Sequence, residues 1–500
     1  MNKLYFGDNL EILRDKISSD CIDLIYLDPP FQSGKNYNFI FEPELNRVKG
    51  ATAQHESFGD TWKWGDKAER EYQGLITGTL TIEKPNQELI ELIKAMRGYL
   101  TERSPILAYL CMMSPRLLEM RRVLKDTGSI YLHCDPTASH YLKLLMDAIF
   151  GVENFRNEIV WHYRRWTGKA KCFQKLHDII LFYTKSKNYY FNILYTDYTE
   201  GSVERKKQGM LNRFKNGETY LVSNKEVDSK GVRENDVWHI PFIAPSAKER
   251  IGYPTQKPEA LLERIIKASS NEGDVVCDPF CGCGTAIAVA ERFDRQWIGI
   301  DITPLAIDII KNRLIGHGGI KEDVHFEIDG IPKDVYGAEK LAEKDAKKFE
   351  EWAVLKINGG TPCGKSGDQG VDGIINFIEP TNKNRVGKGV IQVKGTDAVS
   401  PSMVRELKGT LKSQQAEFAI LITKKKPTAG MTTEAVKEGY YRYKLYQGVE
   451  DIPKIQLLWV ADLFKDPMPV KLPSFQNILE PYKKPVMKGR KQGDLFIRSK

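Results

Sequence analysis

The sequence has no long hydrophobic run. Even Ile106 to Leu124 is interrupted by Ser114, Pro115, Arg116, Glu119, Arg121 and Arg122, so it falls short of the about eighteen uninterrupted apolar residues that span a bilayer. No membrane association is expected. Met1 to Leu10 runs straight into charged and strand-like sequence, without the apolar core and small-residue cleavage site of an export signal, which leads us to expect a cytoplasmic protein. Cysteine is scarce. The eight are scattered except for Cys277, Cys281 and Cys283, which suits reduced thiols and offers neither a disulfide framework nor a zinc pattern. Charge of one sign is also lacking: Lys+Arg 74 against Asp+Glu 66 leaves +8, a balance that permits a polyanionic partner without demanding one. No glycine-lysine-threonine phosphate loop occurs, so ATP-driven translocation would need another subunit. What is present is globular composition, 41% hydrophobic and 28% charged with Gly 40 and Pro 24. At roughly 150 residues per domain, its 500 residues suggest about three folded units.

Lys3 to Phe6 has a strand pattern that runs into Gly7-Asp8-Asn9, and Leu10, Ile12 and Leu13 then start a helical period. A second strand pattern, Ile22 to Leu27, stops at Asp28-Pro29-Pro30-Phe31, where two prolines forbid both ladder and helix. This tetrad suits one kind of chemistry. An aromatic amino group is a poor nucleophile while its lone pair is delocalised into the ring. A carboxylate (Asp28) and a fixed carbonyl (Pro29) can accept its two N–H hydrogens, draw density onto nitrogen and aim it at a sulfonium methyl group. Phe31 can stack on a base extruded from a duplex. An ordinary Asp-Pro-Pro turn is the alternative.

Far downstream, the strand pattern Asp274 to Asp278 feeds Pro279-Phe280-Cys281-Gly282-Cys283-Gly284-Thr285 and then a helical period from Ala286. Gly282 and Gly284 would let the backbone approach a nucleotide-like ligand closely. A further strand, Gln296 to Ile300, ends in Asp301, about 20 residues on, where an acid can accept ribose hydroxyls. On its own this is also the pattern of a generic Rossmann-type nucleotide site.

Together, the tetrad followed by the glycine loop resembles the beta class of DNA amino-methyltransferases, and within it the Mod-type enzymes, through Leu4 to Leu10, Leu27 to Phe31 and Asp60-Thr61-Trp62-Lys63-Trp64. The resemblance covers roughly residues 1 to 320. It implies a Rossmann-like α/β domain with a mixed sheet and circularly permuted motif order, using S-adenosyl-L-methionine. It further implies that Asp28, Pro29, Pro30 and Phe31 are catalytic, and that Asp8, Asp278, Phe280, Gly282, Gly284, Thr285 and Asp301 bind the cofactor, Asp8 at its adenosine end. Thr255-Gln256-Lys257-Pro258 would close over the methionine end, with Lys257 either paired to the methionine carboxylate or solvated. Cys283 departs from the small serine more usual there and is nearly isosteric with it.

The acid at the head of the tetrad resembles adenine-N6 enzymes more than cytosine-N4 enzymes, which commonly carry serine. The partner that this resemblance implies is double-stranded DNA. Trp161 to Trp166, with Lys169 and Lys171, interleaves aromatics and cations, as a groove tracking phosphates would, or as an edge strand with solvated charges. His177 to Lys185 reads as a core strand. Residues 190–250, with Arg205-Lys206-Lys207 and Arg213-Phe214-Lys215, are the candidate target-recognition region.

Past Gly330, a Lys/Glu-rich helix, Ala338 to Glu351, leads to strands Val371 to Ile378 and Val390 to Lys394, with a turn-rich stretch from Pro380 to Gly389 between them. Such a hairpin places Asp372 beside Gln392 and Lys394. Phe349-Glu350, Gly367 to Gly373, Gln392-Val393-Lys394 and Phe418 to Thr423 resemble the Mrr-like branch of restriction endonucleases. That resemblance implies a PD-(D/E)xK-like α/β domain in which catalytic Asp372 and Gln392 hold Mg2+, Glu350 adds a further ligand and Lys394 orients or activates the attacking water. A DNA-binding remnant and an unrelated hairpin are the alternatives.

The expected organisation is a methyltransferase domain over 1–330, an endonuclease-like domain over 338–470 and a basic tail over 471–500. The expected function is adenine-N6 methylation of DNA joined to cleavage in one restriction-modification chain, with modification alone as the second reading. A homodimer or a separate restriction or specificity subunit is compatible with it.

Overall fold

The computed structural model describes residues 2–478 apart from 31–35, 42–52, 60–61, 101–103, 165–170, 199–210, 216–217, 223–230, 245, 254, 317–319, 364–369, 446–447 and 475–477, with the backbone alone at 36–41, 53–59, 211–215, 218–222 and 382–384. Phe31, Thr61, Arg165, Trp166, Lys169, the Arg205-Lys206-Lys207 run, Gly367 to Gln369 and the basic tail beyond residue 478 lie outside the described residues, as do the side chains of Arg213, Phe214 and Lys215.

Nine strands form the larger sheet, in the spatial order Val237–His239, Phe155–His162, His177–Thr184, Leu124–Cys134, Ile22–Leu27, Val275–Asp278, Gln296–Asp301, Asn2–Phe6 and Phe326–Asp329. Only His177–Thr184 runs against its neighbours. A parallel sheet must be covered on both faces, and the strand sequences obey that rule residue by residue. Tyr5, Ile25, Leu27, Ile130 and Leu132 enter one core with the helices Asn9–Lys16, Gln87–Leu100, Pro105–Val123 and Ser139–Phe150. Their alternates Leu4, Phe6, Leu24, Tyr26 and Tyr131 enter the other, against Glu259–Ser269, Thr285–Arg292 and Pro304–Ile315. The strands Ile22–Leu27 and Val275–Asp278, distant in sequence, lie side by side and parallel, which joins the two motif-bearing halves at the centre of the sheet.

The helix Pro105–Val123 carries Pro115 internally and is buried along nearly its whole length. Several of its polar residues are paired inside: Arg122 binds Glu119, Ser19 and the carbonyls of Leu13 and Ile17, and Ser114 donates to the Leu110 carbonyl. The charged interruptions of its apolar run are thus groups with partners in a core helix. Among the described residues no helix is long and apolar enough to cross a membrane.

The second sheet has the order Thr361–Pro362, Gly373–Glu379, Asn382–Lys394, Phe418–Thr423 and Ile455–Trp459. Where a single Lys/Glu-rich helix was expected there are two, Val335–Lys344 and Ala346–Lys356, separated by Asp345, whose side chain caps the second by accepting from Lys348 N–H. The expected turn-rich stretch is largely strand. Its glycines serve close packing: a Cβ at Gly387 would fall 2.3 Å from the Phe377 ring and one at Gly389 2.5 Å from Phe418. One apolar cluster, containing Tyr253, Cys283, Leu305 and Ile309 along with Val371, Val390, Val404 and Leu407, joins the two sheets' domains.

Candidate active site

In an open α/β sheet, ligands bind beyond the carboxyl ends of the parallel strands. Four adjacent strands here end in acids: Asp28 after Ile22–Leu27, Asp278 closing Val275–Asp278, Asp301 closing Gln296–Asp301, and Asp8 two residues past Asn2–Phe6. All four line one cavity of about 280 Å3, together with Pro29, Pro30, Lys257, Phe280, Gly282 and Thr285. The described residues of the tetrad and of the expected cofactor set therefore converge, except Gly284, which is absent from the lining; Phe31 lies outside the described residues.

Each acid is held differently. Asp8 accepts from Leu10 N–H and receives Arg116 on both oxygens at 2.9 and 3.0 Å. Burial pushes its carboxyl up, but Arg116 and that N–H outweigh it and hold the group below the usual carboxylate range. Arg116 also donates to Asn9 Oδ1 at 2.7 Å, and Asn9 Nδ2 reaches the Pro279 carbonyl at 2.8 Å, tying the first strand's turn to the glycine loop. Asp301 accepts from Gly282 N–H at 2.8 Å and from the Thr303 N–H and hydroxyl at 2.9 Å. Burial nevertheless raises its pKa. Asp278 is fully enclosed and pushed well above the ordinary value, first by burial and then by the negative charges of Asp28 and Asp301, despite its bond from Phe280 N–H.

Gly282 (φ +49°) and Gly284 (φ +72°) both occupy the left-handed region. A Cβ on Gly282 would approach the Tyr253 ring at 3.4 Å beside the cavity, whereas one on Gly284 would collide with Ile310 at 2.6 Å. Gly284 thus lets two helices approach instead of facing a ligand. Lys257 donates to Asp28 Oδ2, placing it on the carboxylate at the head of the tetrad rather than on a separate anion site. Asp28 Oδ1 is buried and has no hydrogen-bond partner.

At the second sheet, Gly373 pairs with Ile391, which puts Asp372 opposite Gln392 as the hairpin reading anticipated. Val393 N–H donates to Asp372 Oδ2 at 2.7 Å. Burial, then the charge of Asp372, raises Glu350 to about 7, and burial raises Asp372 as well. Gln392 is 3% exposed and its Oε1 has no partner. Gln392 and Lys394 line a shallow groove with Glu406, Thr410 and Ser413.

Residues 22–312 match the family model for N6/N4 DNA methylases. The chain belongs to the N6/N4 DNA methylase family. This methylase is 35% identical over 220 residues to the type II methyltransferase M.HpaI of Haemophilus parainfluenzae, a match covering 44% of this chain and 63% of that protein. It is 29% identical to the DNA adenine methyltransferase YhdJ of Escherichia coli (strain K12), over 62% of this chain and 81% of that protein. Among solved structures, the PvuII DNA methyltransferase (cytosine-N4-specific) aligns with 62% of this chain and 85% of its own at 13% identity and a TM-score of 0.36. The mixed-sheet α/β methyltransferase fold with a C-terminal α/β domain is the one expected.

Residues 346–452 match a different family, NACHT-associated inactive Restriction Endonuclease 1. The match does not support the expectation of an active Mrr-like nuclease. The donor set points the same way. One oxygen of Asp372 already accepts a backbone N–H, Gln392 is neutral, and among the described residues no group of three or more His, Cys, Asp or Glu side chains could hold a metal. Mg2+, which needs several well-placed oxygens, does not fit there.

S-adenosylmethionine does fit the methylase cavity. Its sulfonium and ammonium charges suit a pocket ringed by Asp8, Asp28, Asp278 and Asp301, and Gly282 keeps the loop's wall open beside Tyr253. Sequence reasoning missed Arg116 and three more residues of this region: Tyr26, His133 and Asp178. The Tyr26 hydroxyl lies 3.1 Å from His133 Nδ1, and His133 Nε2 lies 3.2 Å from Asp178 Oδ2. The available signal was parity: Tyr131 and His133 share a face of their strand, and Tyr26 pairs with Tyr131.

Proposed function

We propose that this methylase transfers a methyl group from S-adenosylmethionine to N6 of adenine in double-stranded DNA, and that its C-terminal domain holds DNA without cutting it. What carries the first part is Asp28 Oδ1, an acceptor buried without a partner at the wall of the cavity. A buried unpaired carboxylate oxygen is costly, and an incoming amino N–H removes that cost. The type of relative supports the base: YhdJ is an adenine methyltransferase, and the tetrad is headed by an acid.

In this reading the target adenine leaves the duplex and enters beside Pro29 and Pro30. Lys257 fixes Asp28 through Oδ2, so that Oδ1 accepts one N6–H while the Pro29 carbonyl accepts the other. Both contacts push electron density onto N6 as its lone pair turns out of the ring plane. S-adenosylmethionine, when bound, supplies an electrophilic methyl group. Asp301, braced by Gly282 and Thr303, offers its remaining acceptor capacity to the ribose hydroxyls, and Asp8 serves the adenosine end.

Incubating the full chain with unmethylated DNA and labelled S-adenosylmethionine, then digesting to nucleosides, tests both parts. Label is expected in N6-methyladenine, and label in N4-methylcytosine instead overturns the base. With magnesium added, the DNA is expected to stay intact. Cutting that disappears in both Asp372→Ala and Lys394→Ala would overturn the non-cleaving assignment.

A further inference from the structure

Beneath Asp28 lies a buried chain of ionisable groups that methyl transfer, as described above, leaves unused. It follows from register. Tyr26 pairs with Tyr131, His133 with Ile180, and Asp178 with Trp161. Alternation by two then sets Asp28, His133, Asp178 and Tyr163 along one face at the carboxyl edge. His133 is fully buried, with Nδ1 3.1 Å from the Tyr26 hydroxyl and 3.9 Å from Asp28 Oδ1, and Nε2 3.2 Å from Asp178 Oδ2. Tyr163 donates to the other oxygen of Asp178 at 3.1 Å. Trp161 packs edge-on against the imidazole at 5.5 Å, and its own N–H is taken by the Ile240 carbonyl. An apolar filler would serve a merely structural core at lower cost than this chain of polar groups.

We propose that His133 receives, through Asp28, the proton that N6 must shed when it is methylated. The inference rests on the methyltransferase reading above. As the N6–C bond forms and the sulfonium S–C bond breaks, its electron pair stays on sulfur and N6 becomes positively charged. One N6 proton passes to Asp28 Oδ1, leaving a neutral methylamino group. Lys257, whose Nζ already donates to Oδ2, does not take it further. His133 Nδ1 can, once the gap closes by about 1 Å to hydrogen-bonding distance, and the Tyr26 hydroxyl turns from donor to acceptor. The imidazolium so formed keeps its Nε2–H on Asp178. When the methylated base withdraws, the proton returns through Asp28 to water.

The surroundings are arranged for a transient positive charge. Burial pushes Asp178 up, but the bond and charge of His133, the charge of Lys257 and the bond from Tyr163 outweigh it and keep its carboxyl below the usual range. The charged and titratable groups facing the imidazole are Tyr26 and Asp28 from one neighbouring strand, Asp178 from the other, Tyr163 beyond it, and Lys257 from the segment above. His133 acts through Asp28 and is a positioning and proton-relay residue.

The test compares wild type, His133→Gln, His133→Asn, Asp178→Asn and Tyr163→Phe in single-turnover methylation across pH, in H2O and D2O, with S-adenosylmethionine affinity and thermal unfolding measured alongside. His133→Gln is expected to slow the chemical step by about 100-fold. Its acid limb should move and its solvent isotope effect should change, at unchanged cofactor affinity. Asp178→Asn should follow in the same direction and Tyr163→Phe more weakly. Unchanged rates in the His133 and Asp178 variants overturn the relay, and so does a rate lost equally at every pH together with cofactor binding. If His133 variants do not fold, Asp178→Asn and Tyr163→Phe decide by the same criteria. A wild type that labels no DNA base at all is a different result, and it rejects the methyltransferase reading itself.

Discussion

At the carboxyl edge of the large sheet, an aspartate that lines the cavity has Lys257 on one oxygen and no partner on the other, which is buried. At the hairpin of the second sheet, Asp372 has a backbone N–H on one oxygen, a neighbouring glutamate raised to about 7, and a buried glutamine whose Oε1 no group satisfies. Both are clusters of acids with one lysine at a strand end. What separates them is how the surrounding chain completes them. In the methylase cavity each acid has at least one donor: Arg116 on Asp8, Thr303 and Gly282 on Asp301, Phe280 N–H on Asp278, Lys257 on Asp28. Asp28 Oδ1 is buried without a partner, and in the proposed reaction it receives the substrate amino group. At the hairpin Glu350 is raised to about 7 and Gln392 Oε1 is buried without a partner, next to a shallow groove. The methylase cluster is a finished site around a cavity, and the other lacks, among the described residues, the arrangement that would hold a cation.

The sharpest way to break this contrast is to remove the unpartnered acceptor of Asp28. Asp28→Ala should lower the methylation rate by about 1000-fold, the scale of losing one preorganised group at a reacting centre, while cofactor binding persists because Asp8, Asp278 and Asp301 remain. Rapid-quench label transfer and cofactor titration measure the two separately. If methylation survives within tenfold, roughly 1.4 kcal/mol, Asp28 is not the acceptor and the cavity's finished character means nothing for catalysis.

Next in size is a pH effect on cofactor affinity. Asp278 and Asp301 have raised pKa values in the empty protein, so their favourable contribution to stability is complete below the usual carboxylate range and is lost as pH rises through the raised values. A cation bound between them favours the ionised forms. S-adenosylmethionine should therefore bind more tightly as pH rises, releasing a proton, by about tenfold per pH unit until the carboxyls are ionised in the empty protein. The product S-adenosylhomocysteine, which lacks the sulfonium charge, should show a shallower slope. Calorimetry in buffers of different ionisation heat measures the proton directly. Equal slopes for the two ligands would mean that these acids do not sense the sulfonium.

How much of this was legible without coordinates differs between the two regions for a physical reason. The tetrad, the glycine loop and Asp301 were legible as candidates because each stands at the end of a strand pattern and has residue types suited to one cavity, and the hairpin that sets Asp372 opposite Gln392 follows from two strand patterns. His133, Asp178 and Arg116 were not legible. Each is an isolated polar residue in an apolar stretch, and its meaning depends on which strand lies beside which. Arg116 sits on a helix whose proline and charges looked like interruptions, yet it closes onto Asp8. Lys257 was recognisable as a site residue, but its partner became visible only when the two distant strands stood side by side. The Pro380 to Gly389 stretch misled because glycine marks turns and also close packing, and Phe377 and Phe418 decide for packing there.

The smallest effect concerns the unfinished cluster itself. Glu350, raised from 4.5 to about 7 by burial and by Asp372, contributes stability that is complete below about pH 4.5 and is lost as pH rises through about 7. Because the group is only about half enclosed, solvent screening reduces the effect to about 1 kcal/mol. Glu350→Gln should thus leave stability unchanged in acid and raise it by that amount above neutrality, flattening the pH dependence of unfolding of the C-terminal domain. Magnesium should not alter the wild-type curve, since Asp372 and Gln392 do not form a site for it. A magnesium-dependent rise in the wild type that Glu350→Gln or Asp372→Ala abolishes would show that these residues still gather a cation. The difference between the two regions would then be one of reactivity and no longer one of assembly.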